Sequence, residues 1–134
     1  MSHSGNHETL KAFIKDTLGC GCPDSVFENI NVETYRLDGY SRELGRIVVG
    51  DTLLIYIVRP DQNHDLEDSI NVIALAGKTD RDTHHYNRFR LVVAADGNNP
   101  QPDTISNRFA RSFGADEKMH IHFVADQCLD GLGV

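Results

Sequence analysis

Positive charge, long apolar runs and cysteine are all scarce in this sequence. Thirteen Lys and Arg stand against twenty Asp and Glu, which gives a formal net charge of -7 at pH 7. This charge repels nucleic-acid phosphates and anionic lipid headgroups, so we expect neither nucleic acid nor a membrane as a partner. The longest apolar run, Leu53 to Val58, is also far shorter than the roughly 18 residues that a membrane helix needs.

Cysteine is present only three times, and an odd number does not suit the disulfide framework of a small secreted domain. Cys20 and Cys22 are moreover too close in sequence for a bond between them to close a useful loop. The opening residues MSHSGNHETL contain neither the basic nor the apolar region of a signal peptide. We therefore expect reduced thiols and a cytoplasmic location.

Motifs that identify common enzyme classes are absent as well. The sequence contains no P-loop, no G-x-G-x-x-G fingerprint, no G-x-S-x-G elbow and no H-E-x-x-H motif. Whether the protein is an enzyme stays open, although the lack of a catalytic motif favours a role without catalysis.

Hydrophobic periodicity predicts an α/β fold in a single domain over residues 8–134, preceded by a disordered tail at residues 1–7. Leu10, Phe13, Ile14 and Leu18 form one face of a helix at about 8–18, which ends at Gly19. Pro23 suits the first turn of a second short helix. The Cys20-Gly21-Cys22 segment is then the corner of an N-terminal helix-turn-helix.

Further along the chain, strands and helices alternate. The predicted elements are an edge strand at 30–36, two strand segments at 47–49 and 52–58, a crossover helix from 66 to 77, and then a strand at 89–95, a helix from 103 or 104 to 113 and a strand at 119–125. The segments 47–49 and 52–58 form either a tight hairpin or one strand bulged at Gly50.

This order predicts a layered sandwich with a mainly parallel central sheet of about four or five strands and an antiparallel edge hairpin or strand. Its core is expected to contain the apolar residues of the buried faces: Phe13, Leu18, Phe27, Leu54, Ile55, Ile57, Ile70, Ile73, Leu91, Val92, Val93, Phe109, Ile121 and Phe123.

The first candidate site is Cys20-Gly21-Cys22-Pro23. A thiol at the start of a helix is favoured as thiolate by the helix dipole, and thiolates are both nucleophiles and metal ligands. Cys22 is therefore the candidate reactive thiol, and Cys20 is its partner. The alternative is that both are small buried side chains in a helix-to-helix turn.

Zinc or another thiophilic metal would need more ligands than these two sulfurs. His120 and His122 are the candidates, since they alternate on one face of the last strand. A polar, solvent-facing edge strand explains the same pattern without a metal. Cys128 is either a third sulfur ligand or a bystander.

Two further constellations involve charged residues. Asp61, Asp96 and Asp126 each follow the end of a predicted strand. There they could bind Mg²⁺, or they are ordinary turn residues.

A basic segment from Arg81 to Arg90 includes His84, His85 and Arg88. It either binds an anion through the guanidinium groups of its arginines or pairs with surface acids.

These observations lead to three hypotheses about function. The first is a small cytosolic thiol protein, with redox or soft-metal chemistry at Cys20 and Cys22. The second is a non-catalytic interaction or ligand-binding module that acts as a homodimer or accessory subunit. The third is an enzyme that acts on a small anionic metabolite with a metal held by the three aspartates.

Overall fold

The computed structural model describes residues 11–17, 29–37, 43–59, 66–95, 102–114 and 118–125. A short helix, α1, has π-type hydrogen bonding at Phe13–Thr17. It falls within the helix predicted at 8–18. The predicted tail at 1–7 and the helix-turn-helix corner around Cys20 to Pro23 lie outside the described residues.

Five strands and two longer helices follow α1. They are β1 (Ile30–Arg36), β2 (Glu43–Val49), β3 (Leu53–Val58), α2 (Leu66–His84), β4 (Arg88–Ala95), α3 (Pro102–Phe113) and β5 (Met119–Ala125). The chain thus forms a mixed α/β fold, and the bounds predicted for β1 and β5 are confirmed to the residue. No helix in the described ranges is both long and apolar enough to cross a membrane.

The strands form one sheet in the order β1-β2-β3-β4-β5. The pairs β1–β2 and β2–β3 are antiparallel, whereas β3–β4 and β4–β5 are parallel. The prediction of a mainly parallel sheet is therefore wrong, because short connections force antiparallel pairing and only the helical crossovers give parallel neighbours. β2 and β3 form the hairpin alternative, which turns at Gly50 and Asp51, both with positive φ.

Side chains of successive strand residues point to opposite sheet faces, and each face has its own apolar cluster. Leu54, Tyr56 and Val58 of β3 belong to the cluster that includes α2 and α3. Leu53, Ile55 and Ile57 belong to the other cluster, which includes Phe13 and Ile14 of α1. We call these the α2 face and the α1 face of the sheet.

Gly77 does not end the crossover helix, as the sequence predicted, because α2 continues for seven more residues to His84. A Cβ atom at Gly77 would overlap the ring of Phe89 on β4. The glycine therefore permits close contact between helix and sheet. The signal that suggested a helix end is in fact a packing requirement.

The predicted core is confirmed for the residues that the structure describes in the centre of the fold. Most of them are fully buried, and Phe13 and Phe109 retain only 6% and 4% exposure. Ile121 and Phe123 are partly buried, because β5 lies at the edge of the described sheet. Leu18 and Phe27 lie outside the described residues.

Candidate functional site

A groove runs along α2 on the side where Tyr35 of β1 and Leu37 contribute to its lining. It exists because α2 and α3 connect only β3, β4 and β5, whereas β1 and β2 extend the sheet beyond the helices. The groove has a volume of about 490 Å³. Its apolar lining comes from Tyr35, Leu37, Val72, Leu75 and Ala76, and its polar lining from Thr79, Asp80, Thr83 and His84.

Asp80 is the centre of a hydrogen-bond network at the polar end of this groove. Arg46 donates from Nε to Asp80 Oδ2 at 2.7 Å and from Nη2 to Oδ1 at 2.9 Å. The Tyr56 hydroxyl donates to Oδ2 at 2.7 Å. Because the Arg46 and Asp80 side chains are only 12% and 10% exposed, this two-pronged ion pair is largely removed from water.

The network shifts the acid-base properties of its members. Burial alone raises the pKa of the Asp80 carboxyl, but the hydrogen bonds from Arg46 and Tyr56 outweigh it, so that the pKa lies below its usual value. Burial, followed by the hydrogen bond to Asp80, raises the pKa of Tyr56. The pKa of Arg46 is raised, chiefly by its hydrogen bond to Asp80. The result is a fixed ion pair with a neutral tyrosine beside it.

His84 connects this buried network to the open groove. Its Nδ1 lies 2.9 Å from Asp80 Oδ1 and 3.0 Å from the Asp80 carbonyl oxygen. Since both neighbours are acceptors, Nδ1 carries the proton of the neutral ring, and Nε2 is the nitrogen left for a ligand. The ring stacks on Tyr86 at a centroid distance of 5.3 Å, and the side chain is 51% exposed. The imidazole is thus both oriented and accessible.

Sequence reasoning named His84 within the basic segment but missed Asp80 and Arg46. One signal was available, because Asp80 continues the spacing of Ile73 and Gly77 on the buried side of α2. A carboxylate on the apolar stripe of a helix requires a buried partner. Arg46 gave no such signal, since it lies 34 residues away in sequence.

A second group of charged residues lies on the α1 face, and we call it the β4–β5 basic cluster: Arg88, Arg90, His120 and His122. Arg90 is paired in register with His120 across the two strands. Arg90 Nη1 lies 2.9 Å from His122 Nε2, which therefore accepts the hydrogen bond. Arg90 is only 7% exposed, and its buried Nε has no hydrogen-bond partner.

Electrostatics in this cluster disfavour added positive charge. Burial and then the nearby Arg88 lower the pKa of Arg90. Burial, followed by Arg90 and His120, lowers the pKa of His122 to about 4. His122 is thus neutral at pH 7, with its proton on Nδ1 because Nε2 accepts from Arg90.

The predicted metal ligands His120 and His122 share the α1 face of β5, while Met119, Ile121 and Phe123 face α2 and α3. A cation bound there would lie beside the Arg90 guanidinium, which adds a repulsive charge. Within the described ranges, no group of three His, Cys, Asp or Glu side chains is arranged to hold a metal ion. The zinc site stays a prediction, because Cys20, Cys22 and Cys128 lie outside those ranges.

The predicted carboxylate site depends on Asp61, Asp96 and Asp126, which also lie outside the described residues. The topology that it requires is present, since β3, β4 and β5 are parallel neighbours. Ala95 and Ala125, which precede two of these aspartates in the sequence, are register partners. A Mg²⁺ site at this edge therefore also stays a prediction.

Comparison with known proteins gives no relative for this chain: it matches no family model, no curated protein and no solved structure.

Proposed function

We propose that this protein is a ligand-binding module, and that its groove beside α2 holds a small, elongated apolar molecule with one polar end. The groove itself is the observation that carries the proposal. Its volume of about 490 Å³ lies within the roughly 300–1,000 Å³ of small-molecule sites. From Val72 to His84 the helix rises about 18 Å, so the site suits an extended molecule.

The lining divides the groove into an apolar part and a polar end. Val72 and Leu75 are 37% and 56% exposed, which makes them the exposed large hydrophobic side chains of the described chain. Thr79, Asp80, Thr83 and His84 follow toward the C-terminal end of α2. A ligand with an apolar body would cover Val72 and Leu75, and its polar group would bond to His84 Nε2.

The hydrogen bonds that Asp80 already accepts favour a binding role over a catalytic one. Its two oxygens already accept from Arg46, Tyr56 and His84, so the carboxylate serves to fix the other side chains. In the described structure, His84 has no hydrogen bond to a nucleophile or to a second acid. The site is preorganised to recognise a molecule rather than to transform one.

The test uses the full-length, ¹⁵N-labelled chain and 1-octanol, an apolar molecule whose hydroxyl can donate to His84 Nε2. We expect saturable amide shifts concentrated at Leu75, Ala76, Thr79 and His84. Leu75→Asp should abolish them, because a charge in the groove must be desolvated when the ligand binds. Ala110→Asp places the same charge on exposed α3 as a matched control. Equal shifts in both variants would refute the proposal.

A second variant tests the polar end of the site. His84→Phe retains a ring beside Tyr86 but removes the nitrogen, so octanol should bind roughly threefold to tenfold more weakly. Unchanged octanol affinity would show that His84 does not bind the ligand. If Leu75→Asp instead converted a dimer to a monomer without any ligand shift, the groove would be an interface between copies.

Thiol or soft-metal chemistry at Cys20 and Cys22 is a second proposal. Its support is that α1 contributes Phe13 and Ile14 to the sheet face that also carries His120 and His122, and that Cys20 follows α1 by three residues. Elemental analysis of protein purified without chelator tests for metal. Thiol titration against pH, with Cys22→Ser as control, tests for a reactive thiolate. Metal-free, unreactive cysteines would refute this proposal.

We also propose the finer features expected from the sequence: a layered sandwich with an N-terminal helix-turn-helix, and a cytoplasmic protein without a nucleic-acid partner. The two apolar clusters on opposite sheet faces support the layered arrangement. The net charge of -7 supports the absence of nucleic acid.

A further inference from the structure

We infer that the β4–β5 basic cluster is a binding site for an oxyanion, the phosphate or carboxylate group of a small molecule. This site is separate from the proposed groove, because it lies on the α1 face of the sheet and the groove lies on the α2 face. The inference therefore does not depend on the ligand proposed for the groove.

The strongest observation is the unsatisfied guanidinium of Arg90. This side chain is more than nine-tenths buried, and its Nε lacks a hydrogen-bond partner. Burying a charge without an oppositely charged partner costs several kcal/mol, which is comparable to the net free energy of unfolding of many proteins. A positive group kept in such a place is explained if a negatively charged ligand pairs with it.

The surrounding groups offer donors and positive charge. His122 uses Nε2 to accept from Arg90, which leaves its Nδ1–H as a donor. Arg88 lies close enough to contribute to the lowered pKa of Arg90, and His120 contributes to the lowered pKa of His122. No carboxylate of the described residues pairs with Arg88 or Arg90, although Arg46 and Arg36 both have such partners.

An oxyanion matches this set of groups better than a cation or a neutral ligand does. Guanidinium forks bind carboxylate and phosphate through parallel hydrogen bonds, which here would occupy the free Arg90 Nε. The exposed side chains of Arg88 and His120 mark the route from solvent. Arg90, which is in register with His120, keeps 7% exposure, and its guanidinium would have to rotate for Nε to reach an anion bound there.

The experiment follows the Arg90 Nε–H resonance of the full-length chain during titration with sodium phosphate. Sodium acetate provides a carboxylate arm, and sodium chloride at equal ionic strength provides the control. We expect a saturable shift with phosphate, acetate or both, and none with chloride. The arm that binds more tightly identifies the chemical source of the oxyanion.

Matched variants show whether the cluster is responsible. Arg88→Gln should weaken oxyanion binding roughly tenfold, because a hydrogen bond to a charged group is lost. Arg111→Gln removes the same charge from the exposed surface of α3 and should leave binding unchanged. Both positions are exposed, so neither variant depends on a change in the core.

Two results would overturn the inference. One is an Arg90 Nε–H resonance that responds no more to phosphate and acetate than to chloride. The other is an oxyanion affinity that falls equally in Arg88→Gln and Arg111→Gln, since that would show general attraction to positive charge. Either result would leave the octanol experiment on the groove unaffected.

Discussion

Arg46 and Arg90 are both arginines on inner strands of one sheet, yet their surroundings differ. Arg46 lies on the α2 face, where Asp80 accepts two of its hydrogen bonds. Arg90 lies on the α1 face, where its described hydrogen-bond partner is the imidazole of His122, and its Nε has none. A charge with a fixed partner strengthens the fold, whereas a charge without one is available to a ligand.

Among the variants of the two arginine sites, removal of Asp80 is expected to lower the free energy of unfolding most. Asp80→Ala removes the two-pronged partner of the largely buried Arg46 and leaves the 3.7 Å contact with the exposed Glu33 as its remaining ion pair. The free energy of unfolding should therefore fall by about 3–5 kcal/mol. The control is Glu43→Gln on β2, where both side chains of the ion pair with Arg36 are exposed. It should cost about 1 kcal/mol or less. Urea unfolding measures both, and equal losses would contradict a structural role for Asp80.

A smaller decrease in the free energy of unfolding is expected for Gly77→Ala. This variant tests how closely α2 packs against the sheet. The added methyl group would overlap the Phe89 ring, so overpacking should cost about 1–3 kcal/mol. In a Phe89→Leu background the methyl group should cost less, because the ring is gone. If Gly77→Ala were stabilising through its higher helix propensity, the close contact would be absent.

The smallest change in the free energy of unfolding is expected from replacing Arg90, which has no carboxylate partner among the described residues. Arg90→Met replaces a buried charge with an apolar side chain of similar length, and such replacements are often neutral or stabilising. We expect the free energy of unfolding to change by less than about 1 kcal/mol or to rise. Arg46→Met, made in parallel, should be clearly destabilising, because the largely buried Asp80 carboxylate loses the guanidinium that neutralises it. Equal losses in the two variants would remove the distinction between the two arginines.

His122 and Asp80 are expected to affect the stability of the protein in different pH ranges. His122 has a folded pKa of about 4 against an unfolded value of 6.5, so below 6.5 the unfolded chain binds more protons. Its contribution to stability is therefore present above pH 6.5 and is lost as the pH falls toward 4. The contribution of Asp80, whose pKa is lowered from 3.8, should be lost only in more acidic solution. In His122→Gln, the free energy of unfolding should depend less on pH between pH 6.5 and 4. In Asp80→Asn, its pH dependence in this range should be unchanged.

Most of the fold could be predicted because its elements carry local signals. The apolar run of β3 and the alternation of β5 determine both the elements and their buried faces. The start of β2 was harder to predict, because Gly45 and Arg46 interrupt the apolar pattern and the predicted segment covered only residues 47–49 of this strand. The sequence left a hairpin and a bulged strand as alternatives, and the pairing of Val49 with Leu53 shows the hairpin.

The groove and its network could not be predicted in the same way. Asp80 carries one local signal, as a carboxylate on the buried side of α2, but its partner Tyr56 looks ordinary in its local sequence and lies 24 residues away. Only the packing of α2 on the sheet brings them together. The β4–β5 basic cluster was partly foreseen, since the shared face of His120 and His122 follows from strand alternation, but the neighbouring Arg90 changes the ligand that this face favours.

One NMR titration tests whether the two faces of the sheet bind different ligands. A sample of the full-length chain receives sodium phosphate first and 1-octanol second, with amide and arginine Nε–H resonances followed throughout. We expect phosphate to shift Arg90 Nε–H and the amides of β4 and β5, and octanol then to shift the amides of Leu75, Ala76, Thr79 and His84. Overlapping sets of shifted resonances, or none for either ligand, would contradict this expectation.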